Sequence, residues 1–210
     1  MARSLYTGFR TVLVSGAFCM KKNRVIRSRF RKVYLRHPEV SDFGELAARY
    51  RGSRDLFRGL ASAHFDGSAF ERLLQTADTD TSKTFLICSV ATTEIVGQLS
   101  LSQIFYRGFQ NAYLGYHLFG GFTGHGYMTE AVSMVLRYAF EELELHRVEA
   151  NVQPHNRASI AVLKRNEFTR EGFSRRYLKI NGRWRDHERW AIIVEDWRDK
   201  KRNVRSRSSN

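Results

Sequence analysis

The stretch Gly120–Phe140, GGFTGHGYMTEAVSMVLRYAF, decides the fold of this chain. It opens with closely spaced glycines and follows a strand-like run, Asn111–Phe119 (NAYLGYHLF). After the glycines, apolar side chains recur at the i, i+3, i+4 and i+7 spacing of one α-helical face. These apolar residues are Met128, Ala131, Val132, Val135, Leu136, Ala139, Phe140 and Leu143. The pattern predicts a strand that passes through a glycine loop into an amphipathic helix.

A helix that begins after such a loop leaves several backbone N–H groups unpaired at its start. Together with the positive end of the helix dipole, these donors form a site for a phosphate group. Gly124 and Gly126 have no Cβ, so the backbone can approach a bulky diphosphate closely. A flexible strand–helix connector is the alternative interpretation. The stretch is not a P-loop, because no Gly-Lys-Ser/Thr follows, and it lacks the third glycine and the βαβ unit of a dinucleotide fingerprint.

The composition indicates one domain of ordinary size with an anionic ligand or partner. The chain has 210 residues and a formal net charge of +14 at pH 7. Its two cysteines, Cys19 and Cys88, lack metal-ligand spacing, which favours a reduced, cytoplasmic protein without a metal site. No apolar run approaches the ~18 residues that span a bilayer.

Much of the positive charge lies at the two ends of the chain. The first 36 residues contain no Asp or Glu, and Arg198–Arg207 is mostly basic. We expect residues 1–31 to be a basic extension that is disordered, or whose first 19 residues precede a true start at Met20, although an organelle transit peptide has the same composition. We expect 198–210 to be a basic tail. Such tails are either solvated or bind ribosomal RNA through salt-sensitive phosphate contacts.

Between these ends, residues 32–197 predict the order β-α-α-β-β-β-α-β-α-β-β. Ser41 and Asp42 with Glu45 indicate a capping box, and Ser68 and Asn156 are candidate helix caps. The dipeptide Asn181-Gly182 is a strong hairpin signal. The predicted strands are 32–36, 85–90, 95–102, 111–119, 146–152, 172–180 and 183–194. The pattern therefore predicts a mixed α/β sheet.

Three stretches, taken in order, resemble the GNAT superfamily of N-acetyltransferases. They are YLGYHLFGGFTGHGYMTEAV (113–132), LHRVEANVQPHNRASIAVLKRNEF (145–168) and REGFSRRYLKINGRWRDHERWAI (170–192). Within the superfamily the chain looks most like the RimJ-type ribosomal-protein alanine N-acetyltransferases, and the likeness runs from about Lys32 to Trp197. The resemblance implies the GNAT fold, a mixed and mostly antiparallel seven-stranded sheet flanked by about four helices.

The resemblance also implies acetyl-CoA as the cofactor. In the family the end of the fourth strand pairs with the pantetheine arm, the amides of the glycine loop bind the diphosphate, and an Asn at the next helix start bonds the pantetheine. Basic residues near the end of that helix are candidate partners of the nucleotide phosphates. In this chain the strand end is Tyr116, His117 and Leu118, and the loop amides belong to Thr123, Gly124, His125, Gly126, Tyr127, Met128 and Thr129. The Asn at the helix start is Asn156, and the basic residues near the helix end are Arg165 and Lys164.

Two positions depart from the family pattern. Gly121 and Thr123 stand where the loop usually carries Gln or Arg, which removes one side-chain contact to the cofactor. Asn166-Glu167-Phe168 replaces the usual Leu-Gly-Phe, which alters a turn.

The catalytic residues are less directly indicated. In several relatives a Glu on the fifth strand is the base and a Tyr on the following helix is the acid, but Asn151 and Leu163 hold those positions here. We expect Asn151 to hold a relay water and Ser159 to protonate the thiolate, with a helix-start serine that bonds backbone as the alternative. Glu149 is a further candidate that would act through water, with an ion pair to Arg147 as its alternative.

The predicted acceptor is an N-terminal α-amine, because its pKa of about 7.7–8.0 requires only a weak base. Tyr177, Trp184 and Asp186 would line the acceptor site, with core packing as the alternative for both aromatic residues, and His187 is a candidate base. We expect direct acetyl transfer to a protein, first of all a ribosomal protein, by a monomer or homodimer whose tails contact the ribosome. The alternatives are an acetyltransferase for small amines such as aminoglycosides or polyamines, and a non-catalytic protein that binds acetyl-CoA or RNA.

Overall fold

The computed structural model of the chain describes residues 25–27, 32–59 and 65–199. Most of the predicted extension and tail, including Cys19 and Met20, lies outside the described residues, so these boundaries stay predictions. The strands are β1 (Ile26–Arg27), β2 (Val33–Arg36), β3 (Asp78–Thr79), β4 (Ser82–Ser89), β5 (Ile95–Phe105), β6 (Asn111–Leu118), β7 (Arg147–Val152), β8 (Thr169–Ile180) and β9 (Arg183–Ile193). The helices are α1 (Phe43–Gly52), α2 (Arg54–Phe57), α3 (Gly67–Thr76), α4 (Tyr127–Glu141) and α5 (Arg157–Arg165), with a 3-10 turn at Val40–Asp42.

The predicted fold class is confirmed. The seven longer strands correspond to the seven predicted ones, and α1, α3, α4 and α5 are the predicted helices. β1 and β3 have two residues each and were not predicted, since two residues are too few to show alternation. β1 belongs to the predicted N-terminal extension but pairs with β2 through Ile26↔Leu35 and Arg27↔Tyr34.

All described strands form one sheet in the order β1-β2-β4-β5-β6-β7-β9-β8, with β3 beside β4. Every neighbouring pair is antiparallel except β6 and β7, which are parallel. The parallel pairing covers only Asn111↔Arg147, Ala112↔Val148 and Tyr113↔Glu149. Beyond Tyr113 and Glu149 both strands continue without pairing to each other, so the sheet is open in its middle.

Two hydrophobic clusters cover opposite faces of the sheet. The larger one contains the apolar face of α4, which is buried as the helical spacing predicted. On β4, Phe85 and Ile87 belong to this cluster, whereas Leu86 and Cys88 belong to the smaller cluster, with Leu46 of α1. Because successive strand residues point to opposite faces, the helices α1–α3 lie across the sheet from α4.

One predicted helix cap is right only in position, since Asp42 is the N-cap residue of α1, and another is wrong. The Asp42 carboxylate does not cap α1, because it is bound by the Arg36 guanidinium and by the Glu39 N–H group. Glu45 instead accepts hydrogen bonds from Arg49 and from the Ile95 N–H group of β5. The cap of α3 is Asp66, not Ser68, and accepts a bond from Ala69 N–H at 2.8 Å.

Among the described residues, no helix combines the length and the apolar character needed to cross a membrane. The cytoplasmic location stays a prediction.

Candidate active site

A cavity of about 1020 Å³ opens where β6 and β7 diverge. Its walls come from the end of β6, the glycine loop, the first turns of α4 and α5, and the α2 residues Leu56 and Phe57. The predicted cofactor residues that line it are Tyr116, His117, Leu118, Thr123, Gly124, His125, Gly126, Met128, Thr129, Asn156 and Arg165. Tyr127 is not part of the wall; its ring stacks on that of His125 at a centroid distance of 5.5 Å. Lys164 does not line the cavity either.

The glycine loop presents free backbone donors to this cavity. Gly124 and Gly126 have φ angles of +83° and +80°, a left-handed conformation that side chains with a Cβ rarely adopt. Gly126 is the N-cap of α4, and no side chain of the described residues caps it. The first N–H groups of α4 are therefore left for an anionic ligand.

Lys32 adds a positive charge to the loop, which the sequence did not predict. Its ammonium group donates to the His125 carbonyl oxygen at 3.0 Å, and its backbone N–H donates to the Glu130 carboxylate at 3.1 Å. Lys32 lies far upstream at the start of a predicted strand, so no local motif could indicate this contact. The Lys32 ammonium therefore places a positive charge beside the glycine loop. The loop itself has Gly121 and Thr123 at the positions where the family usually carries Gln or Arg.

The first turn of α5 is fixed by two hydrogen bonds. The Asn156 side chain accepts from the Ser159 N–H group at 3.1 Å, which confirms Asn156 as the helix cap. The Tyr116 hydroxyl donates to the Ser159 carbonyl oxygen, also at 3.1 Å. Ser159 lines the cavity, and its own hydroxyl lies within hydrogen-bond reach of the Tyr116 hydroxyl. Leu163, at the family's tyrosine position, is completely buried.

On β7, Glu149 and Asn151 lie outside the cavity wall. The Glu149 carboxylate accepts a hydrogen bond from Arg147 Nε at 2.9 Å, as the ion-pair alternative predicted. The remaining guanidinium nitrogens of Arg147 bind the Glu171 carboxylate and hold its pKa below the usual range. The Asn151 Oδ1 atom is buried and has no partner among the described residues.

His117 is an uncharged histidine in the cavity wall. Aromatic rings of Tyr50, Phe57 and Phe119 surround it at centroid distances of 5.0–5.6 Å. The residue is partly exposed, but its Nε2 atom is buried and has no partner among the described residues. Burial lowers the pKa of His117 to about 4, so the ring is neutral near pH 7.

The predicted acceptor residues lie on the β8–β9 hairpin and not in the cavity. Tyr177 is near His187, at a centroid distance of 6.1 Å, and Asp186 accepts a hydrogen bond from the Arg176 N–H group. Trp184 is 59% exposed, so core packing is wrong for this residue. His187 is buried, which lowers its pKa, and its Nδ1 lies 3.0 Å from the Arg185 carbonyl oxygen.

Residues 32–169 match the family model described as an acetyltransferase (GNAT) domain. The chain belongs to the GNAT acetyltransferases. It is 36% identical over 172 residues to a probable N-acetyltransferase, YjcK, of Bacillus subtilis, covering 78% of this chain and 95% of the relative. It is 38% identical over 104 residues to the ribosomal protein uS5-alanine N-acetyltransferase of Escherichia coli, covering 50% of this chain and 54% of that enzyme.

A solved structure of Mycobacterium smegmatis RimJ in complex with CoA-disulfide is also similar. It has 29% sequence identity and a TM-score of 0.70, with 83% of this chain and 88% of the other covered. GNAT acetyltransferases use acetyl-CoA, and acetyl-CoA is the cofactor of this enzyme. The residues present fit it: the open edge of β6, the uncapped start of α4 and the Lys32 ammonium face one cavity.

Proposed function

We propose that this GNAT acetyltransferase acetylates the N-terminal α-amine of a protein, with a ribosomal protein as the first candidate. The observation that carries the proposal is that all four carboxylates of β7, β8 and β9 are already engaged. Glu149 and Glu171 bind Arg147, Asp186 binds a backbone N–H group, and Glu188 binds Arg170 and the Trp190 indole. A polyamine or aminoglycoside carries several positive charges and requires free carboxylates. The name of the Escherichia coli relative supports the same acceptor class.

The cofactor would be held by backbone groups and cations of this chain. The unpaired edge of β6 at Tyr116–Leu118 offers N–H and C=O groups to the amides of a pantetheine arm. The first N–H groups of α4 and the Lys32 ammonium would hold the diphosphate, and Arg165 lies in the same cavity wall. When bound, acetyl-CoA supplies a thioester whose acetyl group an amine attacks.

Asn151 and Ser159 would handle the protons. The buried Oδ1 of Asn151 can accept a hydrogen bond from a water that takes the proton of the acceptor amine. An α-amine is partly neutral at pH 7, so this weak relay suffices for it, whereas a lysine side chain with a pKa near 10.4 needs a stronger base. The Ser159 hydroxyl, in the cavity wall beside the Tyr116 hydroxyl, would donate a proton to the departing thiolate. Glu149 would need to leave Arg147 before it could act as a base.

The test is thiol release from acetyl-CoA with peptides that begin with free Ala, Ser or Met, beside N-formylated copies of the same peptides. Spermidine and an aminoglycoside serve as small-amine acceptors. We expect thiol release only with the peptides whose N-terminus is free, and a large loss of turnover in the Ser159→Ala variant. Ser133→Ala is the matched control, since Ser133 lines the same cavity on α4.

Faster release with spermidine than with any peptide would overturn the proposed acceptor. Full activity of Ser159→Ala would remove Ser159 as the acid but leave the acceptor assignment standing. If CoA raises the melting temperature and no amine causes release, the transfer proposal is wrong.

A further inference from the structure

The end of the β8–β9 hairpin carries an unusual concentration of positive charge. The segment 175–185, RRYLKINGRWR, is called the hairpin tip here; five of its eleven residues are Arg or Lys, and none is Asp or Glu. The tip turns through Asn181-Gly182, with φ angles of +48° and +78°, between strands paired as far as Ile180↔Arg183. None of its residues lines the cavity of the candidate active site.

One neighbouring acid contacts the tip, since Asp186 accepts a hydrogen bond from the Arg176 backbone N–H group, but it forms no ion pair with a described cation of the tip. The acids at the base of the hairpin bind other groups, since Glu171 pairs with Arg147 and Glu188 with Arg170. Among the described residues, no carboxylate forms an ion pair with the five cations of the tip. These cations are Arg175, Arg176, Lys179, Arg183 and Arg185.

Exposed aromatic and apolar side chains are interleaved with these cations. Trp184 is 59% exposed and lies directly opposite Lys179 in the strand pairing. Tyr177 and Leu178 are 36% and 40% exposed. Exposed apolar side chains that cluster within a rim of polar residues mark interaction sites.

The charge decides which partner fits. Cations that track a phosphate backbone, together with an aromatic ring on which a base stacks, are the features that bind single-stranded nucleic acid. In a symmetric dimer through the tip, the same five cations would face one another, and like charges oppose association. We propose that the hairpin tip binds single-stranded nucleic acid, and that this surface is separate from the cavity that binds acetyl-CoA. This proposal does not depend on the acceptor proposed above.

The experiment measures binding of labelled single-stranded RNA and DNA of about 15 nucleotides to the full chain by fluorescence anisotropy. The salt series runs from about 50 to 200 mM KCl. The test variant is the double charge reversal Lys179→Glu/Arg183→Glu. The matched control is Arg51→Glu/Arg137→Glu, because both of these arginines are exposed on helices and have no ion pair with a described residue.

We expect the wild-type chain to bind RNA and to lose affinity as salt rises. Loss of two phosphate contacts should weaken binding about tenfold and lower the salt slope by about 1.4, since each contact on a single strand contributes about 0.7. The control should bind within about twofold of wild type, which excludes a general effect of net charge. Trp184→Ala should also bind about tenfold more weakly through lost stacking. Lys179→Glu/Arg183→Glu should keep its melting temperature and its transfer of acetyl to a short peptide.

Absence of binding by the wild-type chain at the lowest salt would overturn the proposal. So would equal affinities of the test and control variants, because the contact would then lie elsewhere on the chain. A dimeric mass in light scattering that Trp184→Ala reduces to a monomer would assign the tip to self-association instead. Equal binding of RNA and DNA supports the proposal as stated, and tighter RNA binding supports it with RNA as the ligand.

Discussion

The Tyr116 hydroxyl donates a hydrogen bond to the carbonyl oxygen of Ser159 and so joins the end of β6 to the first turn of α5. Both residues line the cavity, and β6 no longer pairs with β7 at this point. The Tyr116 side chain therefore joins β6 to α5 at the point where β6 has no neighbouring strand on the β7 side. The position of the Ser159 hydroxyl depends on this bond.

We expect Tyr116→Phe to lower the free energy of unfolding by about 1 kcal/mol, the usual net value of one hydrogen bond. Turnover in thiol release should fall as well, because Ser159 loses one of its two restraints. Tyr127→Phe is the control, since Tyr127 stacks on His125 outside the cavity wall. Urea unfolding and thiol release measure the two effects. Unchanged turnover in Tyr116→Phe would show that Ser159 needs no such support.

Lys32→Met tests the cation beside the glycine loop. If the Lys32 ammonium binds the diphosphate, its loss should weaken CoA binding by about five- to tenfold, as expected for a partly exposed charge-assisted contact. Pantetheine lacks the diphosphate, so its affinity should not change. Titration calorimetry with each ligand separates the two cases, and Lys179→Met controls for net charge. An equal loss of affinity for both ligands would instead mean that Lys32 supports the loop through His125.

Gly97→Ala should displace the strand edge that faces the cavity. A Cβ at Gly97 would lie 2.5 Å from the His117 carbonyl oxygen and 2.8 Å from Leu118 Cδ2, so β6 must move. We expect a loss of about 1–3 kcal/mol in stability, as for other overpacked sites, and weaker CoA binding. Gly108→Ala, where a Cβ would meet nothing within 4 Å, is the control. Thermal unfolding with and without CoA measures both effects, and unchanged CoA binding would contradict the role of this edge.

His117 makes the stability depend on pH. Its folded pKa of about 4 lies below the unfolded value near 6.5, so the unfolded chain binds more protons in this window. Stability should therefore fall as the pH decreases from 6.5 towards 4, by about 2 kcal/mol at pH 5 relative to pH 7. The loss levels off below pH 4. His187 has a lowered pKa as well and adds an effect of the same sign.

His117→Phe should remove most of this dependence, because phenylalanine does not titrate and fits the aromatic surroundings. His155→Phe, at an exposed position, should leave the dependence unchanged. Urea unfolding at several pH values gives the slope for each variant. A slope as steep in His117→Phe as in the wild type would assign the effect to other groups.

Glu167→Gly should stabilise the protein. Glu167 follows α5 with a φ angle of +64°, donates its N–H to the Lys164 carbonyl oxygen and stands where the family usually has glycine. Glycine adopts this conformation without the strain that a Cβ causes. After the greater entropy of glycine in the unfolded chain is subtracted, the free energy of unfolding should rise by about 0.5–1 kcal/mol. The melting temperature should rise by about 1–4 °C. Lys164→Gly, inside α5, should lower it by a similar amount, and a decrease in Glu167→Gly would mean that the Glu167 side chain contributes more than its backbone costs.

Local patterns in the sequence account for most of the fold. The spacing of apolar residues in α4 and the Asn181-Gly182 turn are local signals, so the helix and the hairpin follow from them. Helix caps were less predictable, because Asp42 has a stronger partner in Arg36, which the local pattern does not contain.

The site could be predicted only where it is built from continuous motifs. The glycine loop and Asn156 are of this kind, and both reach the cavity. Lys32 and Phe57 enter the wall from other parts of the chain, and only the tertiary structure brings them there. Trp184 was expected at the acceptor site; the long hairpin leaves its side chain 59% exposed, and its role there stays a prediction.

The divergence of β6 and β7 gives this sheet a strand edge in its interior. A free edge is a template for any extended chain with amide groups, and proteins usually protect such edges to prevent association with other molecules. Here the two strands still pair at Tyr113 and Glu149, which closes one end of the opening. Residues of α2 and α5, such as Phe57 and Ala158, flank the rest. Covering an edge with helices is one way in which proteins protect it, so the elements that line the cofactor site also shield the exposed backbone of β6 from pairing with other chains.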